Sequence, residues 1–83
     1  MTRTFHSIGQ GAFYTEVFES GFIAVYDCGG SNKQIIEDEI RVTFPKDQKI
    51  DIVFISHLHN DHINGLKFLL NHCNVKKVVL PLL

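Results

Sequence analysis

Apolar residues in this chain fall into short blocks separated by glycine, proline and polar residues. Arg3 to Ile8 reads as a first short strand, and Gly9-Gln10-Gly11 breaks it, because closely spaced glycines suit a tight turn. Ala12 to Phe18 alternates loosely and is rich in aromatic and β-branched residues, which predicts a strand. After the turn Glu19-Ser20-Gly21, the run Phe22-Ile23-Ala24-Val25-Tyr26 is continuously apolar, as in a strand buried on both faces. Its closeness to the preceding strand predicts a hairpin, and Asp27-Cys28-Gly29-Gly30 closes it. Ser31 or Asn32 then N-caps a helix from Lys33 to Val42. Ile35, Ile36 and Ile40 form its apolar side, Glu37, Asp38 and Arg41 face water, and Pro45 stops it.

Lys46 to Lys49 is a polar loop, followed by a strand from Ile50 to Ser56. Ile63 to His72 reads as a second helix, with Leu66, Leu69 and Leu70 at helical spacing and Asn71 to Asn74 ending it. Val75 to Leu80 is a last strand, and Pro81 ends its pairing. The predicted order is β-β-β-α-β-α-β, an α+β class, with no repeat, low-complexity tract or linker. Phe5, Phe13, Phe18, Phe22 and Phe54 fall in predicted strands and are expected in the core. Cys28 is expected to be a small buried hydrophobe, and His6 to be structural.

Length limits what this pattern can build. Eighty-three residues make at most one domain, and a chain of this size buries only roughly 60% of the surface its unfolded form exposes. A net charge of -1 supplies no general attraction to nucleic acid or anionic membranes. No apolar stretch approaches the roughly 20 residues of a membrane-spanning helix, and Met1 to His6 holds no apolar signal region. Cys28 and Cys73 belong to no CxxC pair, so free thiols in a reducing, cytoplasmic setting are expected.

The chemistry is concentrated in His57-Leu58-His59-Asn60-Asp61-His62, directly after the apolar strand. Neutral imidazole nitrogens and a carboxylate oxygen are donors that zinc and related divalent ions accept. Residues two apart in an extended segment point to one side, so His57 and His59 can grip one ion while Leu58 turns into the core. Asp61 and His62 then arrive from the first turn of the next helix, where the helix dipole favours a carboxylate, and could serve a second ion. Gly65, early in that helix, costs about 1 kcal/mol against alanine, which close packing or a nearby ligand would offset. A lone HxH is more often two ordinary histidines, and a lone aspartate here is more often a helix cap. The conjunction after a strand and before a helix points to metal. His72 and Cys73 lie at the distant end of the second helix, nearly three turns away.

Ser56-His57-Leu58-His59-Asn60-Asp61-His62-Ile63-Asn64-Gly65-Leu66 closely resembles the metal-binding motif of the metallo-β-lactamase-fold hydrolases. That motif carries a serine or threonine before it and a glycine three residues after it, both present here. Val25-Tyr26-Asp27-Cys28-Gly29 resembles the family's apolar strand ending in Asp-x-Gly, and Ile8-Gly9-Gln10-Gly11 resembles the opening of the ComEC-type branch. Ser7 and Ala12 stand where that branch usually has acidic residues.

The resemblance implies the N-terminal portion of a four-layer αββα sandwich, with residues 1–83 forming a partial domain whose C-terminal part is absent. It implies that His57 and His59 hold a first metal and Asp61 and His62 a second, with Asp61 catalytic in orienting the attacking water. The implied cofactor is zinc, two ions in the complete domain, with manganese and iron open to the same donors. Asp27, as a partner behind a ligand histidine, and Gln10, in a loop near the substrate, are further candidates. The family also uses a downstream histidine, a bridging aspartate and a final histidine, so the chain is expected to be inactive alone. A phosphodiester or nucleic-acid substrate is weakly favoured over an ester, thioester or lactam, with no membrane partner. Its other expected partner is the missing half of the domain or a complementing chain. The competing expectation is a non-catalytic metal-binding or interaction module, or a truncated remnant.

Overall fold

The computed structural model describes residues 1–59 and 63–81. Antiparallel pairing opens the fold. β1 (Thr2–Phe5) runs against β2 (Gly11–Val17), and β2 against β3 (Ile23–Gly30). The first predicted strand therefore ends earlier than Ile8, although the His6 N–H still reaches the Phe13 carbonyl at 2.9 Å. β3 does the opposite and continues beyond Tyr26 to Gly30.

A bulge interrupts the β2–β3 ladder. Phe13 faces Cys28 but Tyr14 faces Tyr26, so Asp27 is the extra residue, with φ 60. Aspartate tolerates this left-handed conformation better than most side chains. A bulge re-aims the side chain at its extra residue, and here it turns the Asp27 carboxylate toward Ser56.

α1 (Lys33–Thr43) starts where Asn32 Oδ1 accepts the Gln34 and Ile35 N–H groups, at 3.0 and 3.2 Å. Such a cap contributes about 1 kcal/mol. The helix ends at Phe44, which is extended and precedes Pro45. Its buried stripe is Ile36 and Ile40, continued by Phe44. Ile35, expected on that side, is 44% exposed, because one helical step from Ile36 rotates it off the contact line.

Two parallel crossovers complete the sheet. β3 pairs with β5 (Ile52–Phe54) across α1, and β5 pairs with β7 (Val78–Val79) across α2 (Leu66–His72), giving the order β1-β2-β3-β5-β7. A second, two-stranded sheet joins β4 (Lys49–Ile50) to β6 (Asn74–Val75). The strands expected over Ile50–Ser56 and Val75–Leu80 are thus each divided, yet their pairing keeps one register. Lys49 faces Asn74 and Phe54 faces Val79, and hydrogen bonds from Lys76 N–H to Ile50 O and from Val53 N–H to Lys77 O span the gap, each at 2.9 Å. The division falls at Asp51, whose N–H donates to Ile23 O at 3.0 Å and whose carboxylate accepts the Ile23 N–H at 2.8 Å.

The core lies between this sheet and the two helices. Val25 and Val53 from the strands meet Ile36, Ile40 and Leu69 from the helices, all fully buried, with Ile50, Phe13, Cys28 and Cys73 in the same cluster. Strand residues of the other parity face away from the helices. Their rings make a row across β1, β2, β3 and β5: Phe5 to Tyr14 at 4.4 Å, Tyr14 to Tyr26 at 5.4 Å and Tyr26 to Phe54 at 5.1 Å. Only Phe13 of the five phenylalanines expected in the core is buried; Phe5 is 84% exposed, because the helices cover one face alone. No helix among the described residues is long and apolar enough to cross a membrane.

The Ile23 N–H holds the Asp51 carboxyl below its ordinary value; burial pushes it up, and the Lys49 ammonium adds to the lowering. The unfolded chain therefore takes up this proton first as pH falls. The contribution is complete above the ordinary carboxylate pKa of about 4 and is lost as pH drops through the folded value. Thermal midpoints of the native chain and Asp51→Asn are expected to converge between pH ~5 and pH ~2. A gap that stays constant across that range would show that Asp51 is not the titrating group.

Candidate metal centre

The histidine loop begins where β5 leaves the sheet. Ile55 is still held there, its N–H donating to Val79 O at 2.9 Å. The next residue, Ser56, turns away from β7 and bonds to β3 instead. Its N–H donates to Asp27 Oδ1 at 2.8 Å and its hydroxyl to Asp27 Oδ2 at 2.6 Å. Ser56 Oγ also lies 3.0 Å from His57 Nδ1.

These contacts constrain the direction of donation. A carboxylate only accepts, and a hydroxyl has one proton to give. With that proton directed to Asp27, Ser56 Oγ accepts from His57 Nδ1–H. A neutral His57 that donates Nδ1–H in this way carries its lone pair on Nε2, the form in which an imidazole binds a metal.

His57 and His59 are both exposed, with ring centroids 6.1 Å apart and planes inclined by 35°. Two imidazoles sharing one tetrahedral zinc at Zn–N distances of about 2.0–2.1 Å have centroids about 5 Å apart. The observed separation is about 1 Å wider than that spacing. Leu58, expected to turn into the core, is exposed; past Ser56 there is no strand partner to impose the alternation. Asp61 and His62 lie outside the described residues. Among the described residues, no group of three or more His, Cys, Asp or Glu side chains is placed to hold a metal ion. The described part of the centre is therefore an imidazole pair with its support.

The exit of the loop is held by the same strand as its entrance. Asn64 Oδ1 accepts the Gly30 N–H at 2.8 Å, and its Nδ2 donates to the Gly30 carbonyl. Gly65 N–H donates to Cys28 O at 2.9 Å. A Cβ on Gly65 would lie 2.7 Å from Ile36 Cγ1 and 3.0 Å from the Cys28 carbonyl, so close packing accounts for this glycine. Ile63, the expected first residue of this helix, is helical, and with Asn64 and Gly65 engaged by β3 a turn separates it from α2, which runs from Leu66. Burial pushes the Cys28 thiol pKa far up, which keeps it an inert, uncharged hydrophobe.

Gln10 also sits at this end of the sheet. Its carbonyl accepts the Ser31 N–H at 2.8 Å, while its side chain is exposed. Gly11, at φ 136, passes so close to β3 that a Cβ there would land on the Gly29 carbonyl and Gly30 Cα. The remaining histidines are elsewhere. His6 is buried between Glu39 and Thr15, at 2.8 Å from each, and stacks on Phe13. His72 Nε2 lies 2.8 Å from Phe44 O at the far end of α2. Sequence reasoning singled out neither Ser56 nor Asn64 for a role, although both stand inside the motif that it quoted.

The chain belongs to the metallo-beta-lactamase superfamily, whose family model matches residues 12–83. Among curated proteins it is similar to ribonuclease Z of Streptococcus uberis, 49% identical over 43 residues, covering 51% of this chain and 12% of that protein. It is similar to ribonuclease Z of Enterococcus faecalis, 43% identical over 54 residues, covering 64% of this chain and 16% of that one. It also matches ribonuclease Z of Nostoc sp., 39% identical over 59 residues, covering 65% of this chain and 17% of that one. The chain thus spans under a fifth of the length of these relatives. No solved structure matches it.

The backbone at Asp27 separates two effects by mutation. Asp27→Gly and Asp27→Ala both lose the Ser56 bonds, but only alanine bears the left-handed penalty of roughly 1–2 kcal/mol. Urea unfolding is expected to find Asp27→Gly the more stable by about 1 kcal/mol. Equal stabilities would mean that the left-handed conformation does not survive the loss of the carboxylate.

Proposed function

We propose that residues 1–83 are the amino-terminal part of a dinuclear metal-dependent hydrolase domain, and that its substrate is a phosphodiester of RNA. The observation that supports the metal reading is the chain of contacts from Asp27 through Ser56 to His57 Nδ1, with the His59 ring beside it. The substrate class is supported by the relatives, each named ribonuclease Z.

In this reading His57 and His59 hold one zinc ion and Asp61 and His62 a second. The chemistry such ions supply when bound is Lewis acidity, which makes water a competent nucleophile near neutral pH and polarises the scissile group. Asp61 orients the attacking water. Asp27 acts behind His57, holding its tautomer through Ser56. Gln10, on a loop packed against the same end of β3, faces the substrate. Further metal donors come from the rest of the domain, since the imidazole pair leaves a catalytic zinc short of its usual three protein ligands. The two buried free thiols suit a reducing, cytoplasmic setting. A second reading, a non-catalytic interaction module, draws on the open aromatic row across the sheet and on the incomplete donor set among the described residues.

Elemental analysis of the chain purified without chelator is expected to give about one or two zinc ions per chain, lost in a His57→Ala/His59→Ala double variant. The same zinc content in both proteins would overturn the metal reading. Hydrolysis of a phosphodiester against a carboxylic ester by the full-length protein then tests the substrate class, and a preference for the carboxylic ester would overturn it.

A further inference from the structure

We propose that Asn64 is a positioning residue, whose side-chain amide fixes the exit of the histidine loop by taking the place of a strand that β3 lacks. The inference rests on the metal reading above and concerns how the centre is held. β3 pairs with β5 only as far as Tyr26 opposite Phe54, yet β3 continues to Gly30. Beyond that point its backbone groups on the β5 side need other partners, because Cys28 and Gly30 are buried. Gly65 N–H supplies one, to Cys28 O, and Asn64 supplies two, to the Gly30 N–H and carbonyl.

The match is specific to asparagine. Its amide offers one acceptor and one donor side by side, the same pair that a neighbouring strand would offer Gly30. The orientation is fixed, since the flipped amide would set donor against donor and acceptor against acceptor. Aspartate has the same shape but would set a second acceptor against the Gly30 carbonyl. Alanine would leave both groups of Gly30 buried without partners. At the other end of the loop, Asp27 holds Ser56 through two bonds. The loop is therefore suspended between two points on one four-residue stretch of β3, which sets how closely its ligands can converge.

The test is zinc affinity, measured by competition with a chromophoric chelator on the chain and on Asn64→Ala and Asn64→Asp. The control is Ile40→Val, a core change in α1 away from the loop. Amide exchange at Gly30 is measured in the zinc-free proteins. Both Asn64 variants are expected to bind zinc about 10–100-fold more weakly, the range typical of groups that orient metal ligands. Their Gly30 amide is expected to exchange faster, while Ile40→Val keeps the native affinity. Native affinity in both Asn64 variants alongside faster Gly30 exchange would overturn the proposal, leaving Asn64 as a structural clamp only. An equal loss of affinity in Ile40→Val would also overturn it, since general destabilisation would then be the cause. If the native chain bound no more zinc than the His57→Ala/His59→Ala variant, the metal reading itself would fall and this proposal with it.

Discussion

The structure depends on how the end of β3 is satisfied. Residues Asp27 to Gly30 outrun the parallel neighbour β5, so their backbone groups on that side lose the ladder that serves Ala24 to Tyr26. Buried backbone groups cannot be left without partners. Here the backbone partners come from just after the histidine loop, Asn64 and Gly65, while Ser56, just before it, binds the side-chain carboxylate of Asp27. A requirement of sheet hydrogen bonding thus becomes the scaffold of the candidate metal centre.

Meeting that requirement constrains the backbone around it. Asp27 occupies a left-handed conformation at a bulge, which directs its carboxylate to Ser56. Gly11 and Gly65 let chain segments approach the end of β3 from opposite sides, where a Cβ would collide with backbone or core atoms. The core beneath, centred on Val25, Val53, Ile36, Ile40 and Leu69, holds these segments at fixed spacing. His6, bonded to Glu39 and Thr15, fastens the β1–β2 pair to α1 and takes no part in the centre.

Much of this was legible in the residues. Period and punctuation located the strands and both helices, and the HxHxDH spacing located the histidine loop. What escaped was decided by tertiary pairing. The division of the Ile50–Ser56 strand depends on Asp51 binding a residue far away in sequence, Ile23. The continuation of β3 through glycines runs against strand propensity and is imposed by its partners. The aromatic strand residues read as core, but Phe5, Tyr14, Tyr26 and Phe54 line the sheet face that no helix covers, and periodicity alone cannot say which face will be covered. Ser56 and Asn64 carried a local signal, polar residues flanking the histidines, but their bonds to β3 could be seen only in three dimensions.

The central claim is that the end of β3 sets the state of the histidine loop before any metal arrives. The direct measurement is the tautomer of His57 in the metal-free chain, read from two- and three-bond nitrogen–proton couplings by NMR near neutral pH. The account predicts an Nδ1–H imidazole at His57 that reverts to a tautomer mixture in Ser56→Ala. An Nε2–H tautomer in the native chain, or no change on removing the Ser56 hydroxyl, would contradict it.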